Sequence, residues 1–91
     1  MPTLVSVTEV SDFDTWKPGF ERFEALRNQN GVSNPRIFRL EGDANKFVIV
    51  FDVDDIEKAL SFLKSDQARE SMKSIGVTNI TFALPSSAVS V

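Results

Sequence analysis

A single α+β domain, four antiparallel strands with helices on one face, is predicted by three features of this 91-residue chain. Strand-like and helix-like segments follow one another as β-α-β-β-α-β. The helical segments carry apolar residues at spacings of three and four, whereas the strand segments alternate. The third strand is apolar on both faces, which implies cover from two directions. A chain of this length supports one core and not two, so residues 1–91 are read as one domain without an internal boundary.

The first strand is expected over Thr3 to Val10, where Leu4, Val5, Val7 and Val10 stand among Ser and Thr. Ser11, Asp12 and Asp14 then offer helix-start chemistry, and Phe13, Trp16, Phe20, Phe23 and Arg27 share one helical stripe. Pro18 suits a first turn better than a helix interior, so a short turn over Asp12 to Lys17 is expected to lead into a regular helix starting near Pro18. Asn28 to Gly31 should end it, with Gly31 as a left-handed cap.

Pro35 to Glu41 is predicted as the second strand, with Arg36, Phe38 and Leu40 on one face and Ile37, Arg39 and Glu41 on the other. Gly42-Asp43-Ala44-Asn45 has the composition of a hairpin connection. In the third strand, Lys46 to Val53, Phe47, Ile49, Phe51 and Val53 alternate with Val48, Val50 and Asp52. Asp54 and Asp55 are expected to cap a helix with Ile56, Ala59, Leu60 and Leu63 on its stripe and Phe62 off it. Ser65 and Asp66 start a second short helix over Asp66 to Ser74, stopped at Gly76. Val77 to Leu84 forms the fourth strand, ended by Pro85, and Ser86 to Val91 is a small-residue tail. The order is that of a ferredoxin-like domain.

Composition narrows the chemistry. The chain is 42% apolar and 25% charged, with eight Phe, one Trp and no Tyr. Phe has no polar handle, so these rings belong to a core, an interface or the wall of an apolar pocket. There is no Cys and no His, which excludes thiolate and imidazole nucleophiles, His-dependent triads and Cys- or His-ligated metal, haem or iron–sulfur sites. No cofactor and no metal are expected. Ten basic residues are scattered among thirteen acidic ones, a net charge of −3, so no nucleic-acid or anionic-lipid footprint is expected. No apolar run approaches the roughly 20 residues needed to cross a bilayer, and Met1 to Val10 lacks signal-peptide character. The expectation is a cytoplasmic protein.

The run Asp12-Phe13-Asp14-Thr15-Trp16-Lys17 into Phe20, then Ala25-Leu26-Arg27, Gly31, Arg36-Ile37-Phe38-Arg39, Asn45-Lys46-Phe47-Val48-Ile49-Val50-Phe51 and Asp55 to Phe62 followed by Ser65, resembles the dimeric α/β-barrel superfamily. It is most similar to the small antibiotic-biosynthesis-monooxygenase-like and cyclase-like members, over about residues 3 to 84. The resemblance implies two four-stranded sheets packed face to face across a two-fold axis, with a pocket between sheet and helices in each subunit. It implies no single chemistry, since one fold hosts many. Branches that place a histidine near haem iron do not fit a chain without His.

The candidate ligand-binding residues are Trp16, Phe20, Phe23, Phe38 and Phe51. Trp16 is read either as a core indole beside Phe20 and Phe23 or as a substrate-stacking wall. The candidate catalytic groups are Asp52 or Asp14 as a base and Arg36 or Arg39 as an anion clamp. Each has a plainer reading: Asp14 belongs to helix capping, Asp52 is expected to pair with Arg39 or to lie exposed, and either arginine is expected to snorkel or to pair with a carboxylate such as Glu41 or Asp52. Three functions follow as expectations. The first is a homodimer that binds a small, largely apolar molecule between sheet and helices. The second is a cofactor-independent monooxygenase or polyketide-cyclase-like enzyme, and the third is a purely structural or regulatory dimer.

Overall fold

Strand alternation organises the molecule. The computed structural model describes residues 2–83, and eight elements follow in chain order: β1 (Thr3–Val10), α1 (Phe13–Arg22), α2 (Glu24–Gln29), β2 (Val32–Leu40), β3 (Asp43–Val53), α3 (Ile56–Leu63), α4 (Asp66–Ser74) and β4 (Val77–Ala83). The strands form one antiparallel sheet in the order β2-β3-β1-β4. This is the expected ferredoxin-like α+β fold, with each helical connection made of two short helices. The continuation of the fourth strand to Leu84 and the tail Ser86 to Val91 lie outside the described residues.

The register sorts side chains by face. Leu4, Ser6 and Thr8 of β1 stand opposite Phe51, Ile49 and Phe47 of β3, and all six are buried. Ile37 of β2 and Ile80 and Phe82 of β4 align with the same rows. These residues form the helix-side face and, with Val32, Val53, Trp16, Ala59 and Leu63, the core. The intervening positions point the other way. Phe38, Val48, Val7 and Thr81 form one row across this second face, and Arg36, Val50, Val5 and Ala83 form the next. Among the described residues nothing covers them, and Phe38 is 57% exposed.

The helices depart from expectation at one place. α1 begins at Phe13, not near Pro18, because the Asp12 side chain accepts from the Thr15 backbone N–H and fixes the start there. Pro18 therefore lies inside α1. The break falls later, at Phe23, whose N–H donates to the Phe20 carbonyl at 3.2 Å before α2 starts. Gly19 lets α1 lie close against the C-terminal end of α4. A methyl there would lie 2.8 Å from Ile75 Cβ, so the helix approaches this closely only without a side chain.

Three further expectations shift. β2 starts at Val32, earlier than Pro35, and accommodates Asn34-Pro35 as a bulge. Ser33 pairs with Asp52 and Arg36 with Val50, so two residues stand opposite Phe51. Asn34 takes the positive φ of 50° that this needs. The hairpin turn is Glu41-Gly42, and Asp43 to Asn45 already belong to β3. Of the two aspartates before α3, Asp55 is the cap, accepting from the Lys58 N–H. Asp54 instead packs beside Gly31, its N–H donating to the Gly31 carbonyl at 2.9 Å. Ser65 caps α4 as expected.

Candidate functional site: an apolar cavity between sheet and helices

An amphipathic helix laid on a sheet with small polar side chains at its centre leaves space beneath it. A cavity of about 70 Å3 lies there. Its floor includes Ser6 and Thr8 on the central strand β1, whose hydroxyls are 3.4 Å apart, so that one donates to the other in an otherwise hydrocarbon setting. Phe51 rises from β3 and Phe82 from β4. α1 and the α1–α2 junction supply Trp16, Phe20 and Phe23. α3 and α4 close the far side with Phe62, Ala68 and Met72.

The aromatic wall is a continuous set of ring contacts. Trp16 stacks on Phe20 with centroids 4.7 Å apart and meets Phe47 at 4.5 Å. Phe13 packs on Trp16 at 5.6 Å and edge-on to Phe47 at 5.3 Å, and Phe20 faces Phe51 at 6.3 Å. Separations of this kind contribute attraction beyond area burial. Asn45 holds the start of α1 above them, since its side-chain oxygen accepts from the Phe13 N–H at 3.0 Å.

One cation lines the cavity. Arg27 is only 7% exposed; its guanidinium lies 3.7 Å from the Phe20 ring centroid and donates to the Phe20 carbonyl at 2.7 Å. Burial pulls its pKa down to about 10, partly offset by Glu24, which leaves it charged at neutral pH. Arg27 thus caps the end of α1 and stiffens the α1–α2 junction. It belonged to the predicted aromatic stripe but was not among the candidate site residues, because an arginine on a helix surface ordinarily snorkels. Ser6, Thr8, Phe62 and Met72 were missed as well. Phe62 alone carried a signal, being the large apolar residue off the α3 stripe.

Of the five candidate ligand-binding residues, Trp16, Phe20, Phe23 and Phe51 are brought together on this cavity. Phe38 is not; it stands on the opposite face of the sheet. None of the four candidate catalytic residues lines the cavity. Asp14 is exposed in the first turn of α1. Arg39 lies over the Phe13 ring at 4.1 Å and donates to the Ala44 carbonyl. Asp52 pairs with Arg36, not with Arg39, at 2.9 Å, because the register sets Arg36 opposite Val50, on the face of Asp52, while Arg39 stands opposite Phe47 on the helix side. No group of three or more His, Cys, Asp or Glu among the described residues is placed to hold a metal ion. Among the described residues no helix is long and apolar enough to cross a membrane.

The Asp52 carboxyl is held below its usual range by the hydrogen bond from the Asn34 side chain and by that from Arg36. A group with this shift is poorly suited to act as a base. Because folding favours its ionised form, its contribution to stability is complete above the ordinary carboxylate range and is lost as pH falls through it. Urea midpoints measured from about pH 6 to about pH 2 are expected to fall less steeply for Asp52→Asn than for the parent. Parallel acid limbs would show that the pair contributes nothing measurable.

No family model matches the sequence, and no curated protein matches it. Solved structures do. An antibiotic biosynthesis monooxygenase structure superposes with a TM-score of 0.68 at 13% identity, over 97% of this chain and 99% of its own. SnoaB, a cofactor-independent oxygenase from Streptomyces nogalater, superposes with a TM-score of 0.69 at 14% identity, over 98% of this chain and 94% of its own. At such identities the likeness establishes architecture. The chain therefore shares the ferredoxin-like fold of the antibiotic biosynthesis monooxygenase structures over nearly its whole length.

Proposed function

We propose that the protein is a homodimer that binds a small, largely apolar molecule in the cavity between sheet and helices. The observation that carries this reading is that the sheet is apolar on both sides, with an aromatic cavity behind one face and bare Phe38, Val48, Val7, Val50 and Val5 on the other. The bare patch has the anatomy of an interface. Its apolar centre is flanked at one end by the Arg36–Asp52 pair and at the other by Lys46–Glu9 at 3.3 Å, an arrangement of dry centre and charged rim. A second copy of this chain matches it by symmetry, because the same strip faces itself across a two-fold axis.

The enzymatic alternative, a cofactor-independent monooxygenase or a cyclase, draws on the likeness in fold to SnoaB. It lacks a base in the cavity, whose lining contains no carboxylate. A structural dimer without ligand would leave the aromatic cavity without a role.

Two readouts on one sample test the proposal. Light scattering is expected to give twice the 10.1 kDa chain mass. Trp16, the one tryptophan of the chain, lines the cavity, and its emission is expected to respond to apolar solutes. A monomer would remove the dimer, and an emission unmoved by any apolar solute would remove the ligand.

A further inference from the structure

The cavity borders a groove lined by cations. Leu63, Met72, Val77, Ile80 and Phe82 line it and also line an outer groove of about 770 Å3 between α4 and the edge strand β4, so the two spaces share a boundary. The rest of the groove includes Lys64, Arg69 and Lys73 and no carboxylate side chain. All three cations are exposed, and none joins an ion pair among the described residues. Asp66 and Glu70 also belong to α4 but do not line the groove. A chain with a net charge of −3 thus presents a locally positive groove on the other side of the wall that bounds its apolar cavity. Such a groove raises the local concentration of anions.

We infer that the ligand of this cavity is an amphipathic organic acid, its apolar end in the inner cavity and its anionic head in the outer groove among Lys64, Arg69 and Lys73. The inference rests on reading the cavity as a ligand site and adds the chemical class. An inner volume of about 70 Å3 is about half of the roughly 150 Å3 that holds a benzene molecule, so it takes the terminal carbons of a slim alkyl chain, the rest of which lies along the shared boundary, and no fused ring. Met72 stands at the boundary, where an unbranched thioether side chain can move aside for a chain passing from one space to the other. The head stays in the solvated groove, so no charge has to be stripped of water to bind. Arg27 is not needed for the anion, being committed to the Phe20 carbonyl and ring.

The test uses octanoate and 1-octanol, which share one alkyl chain and differ in charge, titrated against Trp16 emission at low salt. Octanoate is expected to bind roughly tenfold more tightly, as three exposed cations acting together allow, and the preference should shrink as salt is added. In the Lys64→Gln, Arg69→Gln, Lys73→Gln triple variant, whose substitutions all fall at exposed positions, octanol affinity should be unchanged and the octanoate preference lost. Equal binding of the two probes to the parent, or a preference that survives in the triple variant, would overturn the acid inference while leaving the cavity as a site for neutral ligands. If neither probe moves the emission, this inference fails, whereas the ligand reading falls only when no apolar solute of any shape moves it.

Discussion

Trp16→Ala is expected to lower the stability of the folded protein by about 3–5 kcal/mol, the usual cost of deleting a buried large aromatic side chain. Trp16 is 2% exposed and is in ring contact with Phe13, Phe20 and Phe47, so its removal opens the middle of the aromatic set. Collapse to fill the gap is restricted, because α1 is held at its start by Asn45 and at its end by Arg27. The void would merge with the existing cavity, whose wall the indole forms. Far-UV circular dichroism in urea measures the loss, since the substitution removes the fluorophore, and parent and variant must be compared at equal protein concentration if subunits are coupled. Trp16→Phe should retain more than half of the lost stability by keeping the ring contacts to Phe13 and Phe47. A loss below about 1 kcal/mol for Trp16→Ala would mean that the residue serves the cavity and not the core.

The sequence left Trp16 as a core indole or a substrate-stacking wall; in the structure the indole is buried and also borders the cavity, and stacking on a ligand there belongs to the proposal. The stripe Phe13, Trp16, Phe20, Phe23 was legible because helical periodicity places such residues on one face whatever they pack against. Periodicity does not say whether that face meets the sheet tightly. The space depends on Ser6 and Thr8 standing where larger residues would fill it, and small residues in a strand leave no distinctive pattern. Capping was legible at Asp55 and Ser65, where one side chain and one N–H decide the matter. It was misjudged at α1, where the proline preference for a first turn was weighed above the Asp12 cap; the cap bonds Thr15 and the helix runs on through Pro18. The sequence reading starts β2 at Pro35, whereas the bulge at Asn34-Pro35 lets the ladder continue back to Val32. Long-range pairs were the least legible. Arg36 and Arg39 were known to lie on opposite faces, but which one reaches Asp52 depends on register across β2 and β3, which local sequence leaves open.

Val48→Asp is expected to turn the proposed dimer into a monomer. Val48 lies on β3 between Val7 of β1 and Phe38 of β2, at the middle of the uncovered face, and it points away from the core formed by Phe47 and Ile49. In the subunit alone the new carboxylate would face water at little cost. Across a two-fold interface it would be buried without a partner, and the symmetry brings two copies into the same apolar strip. An unpaired buried charge costs about 3–5 kcal/mol, and like charges placed together add to it, so association should weaken about a thousandfold or more. Light scattering at low micromolar concentration should then give the 10.1 kDa chain mass with an unchanged far-UV spectrum. Because the cavity lies on the other side of the sheet, ligand response of Trp16 should persist in the monomer if each subunit carries a complete site. A variant that stays dimeric would place the interface elsewhere, and the bare row Phe38, Val48, Val7 would then require a different cover.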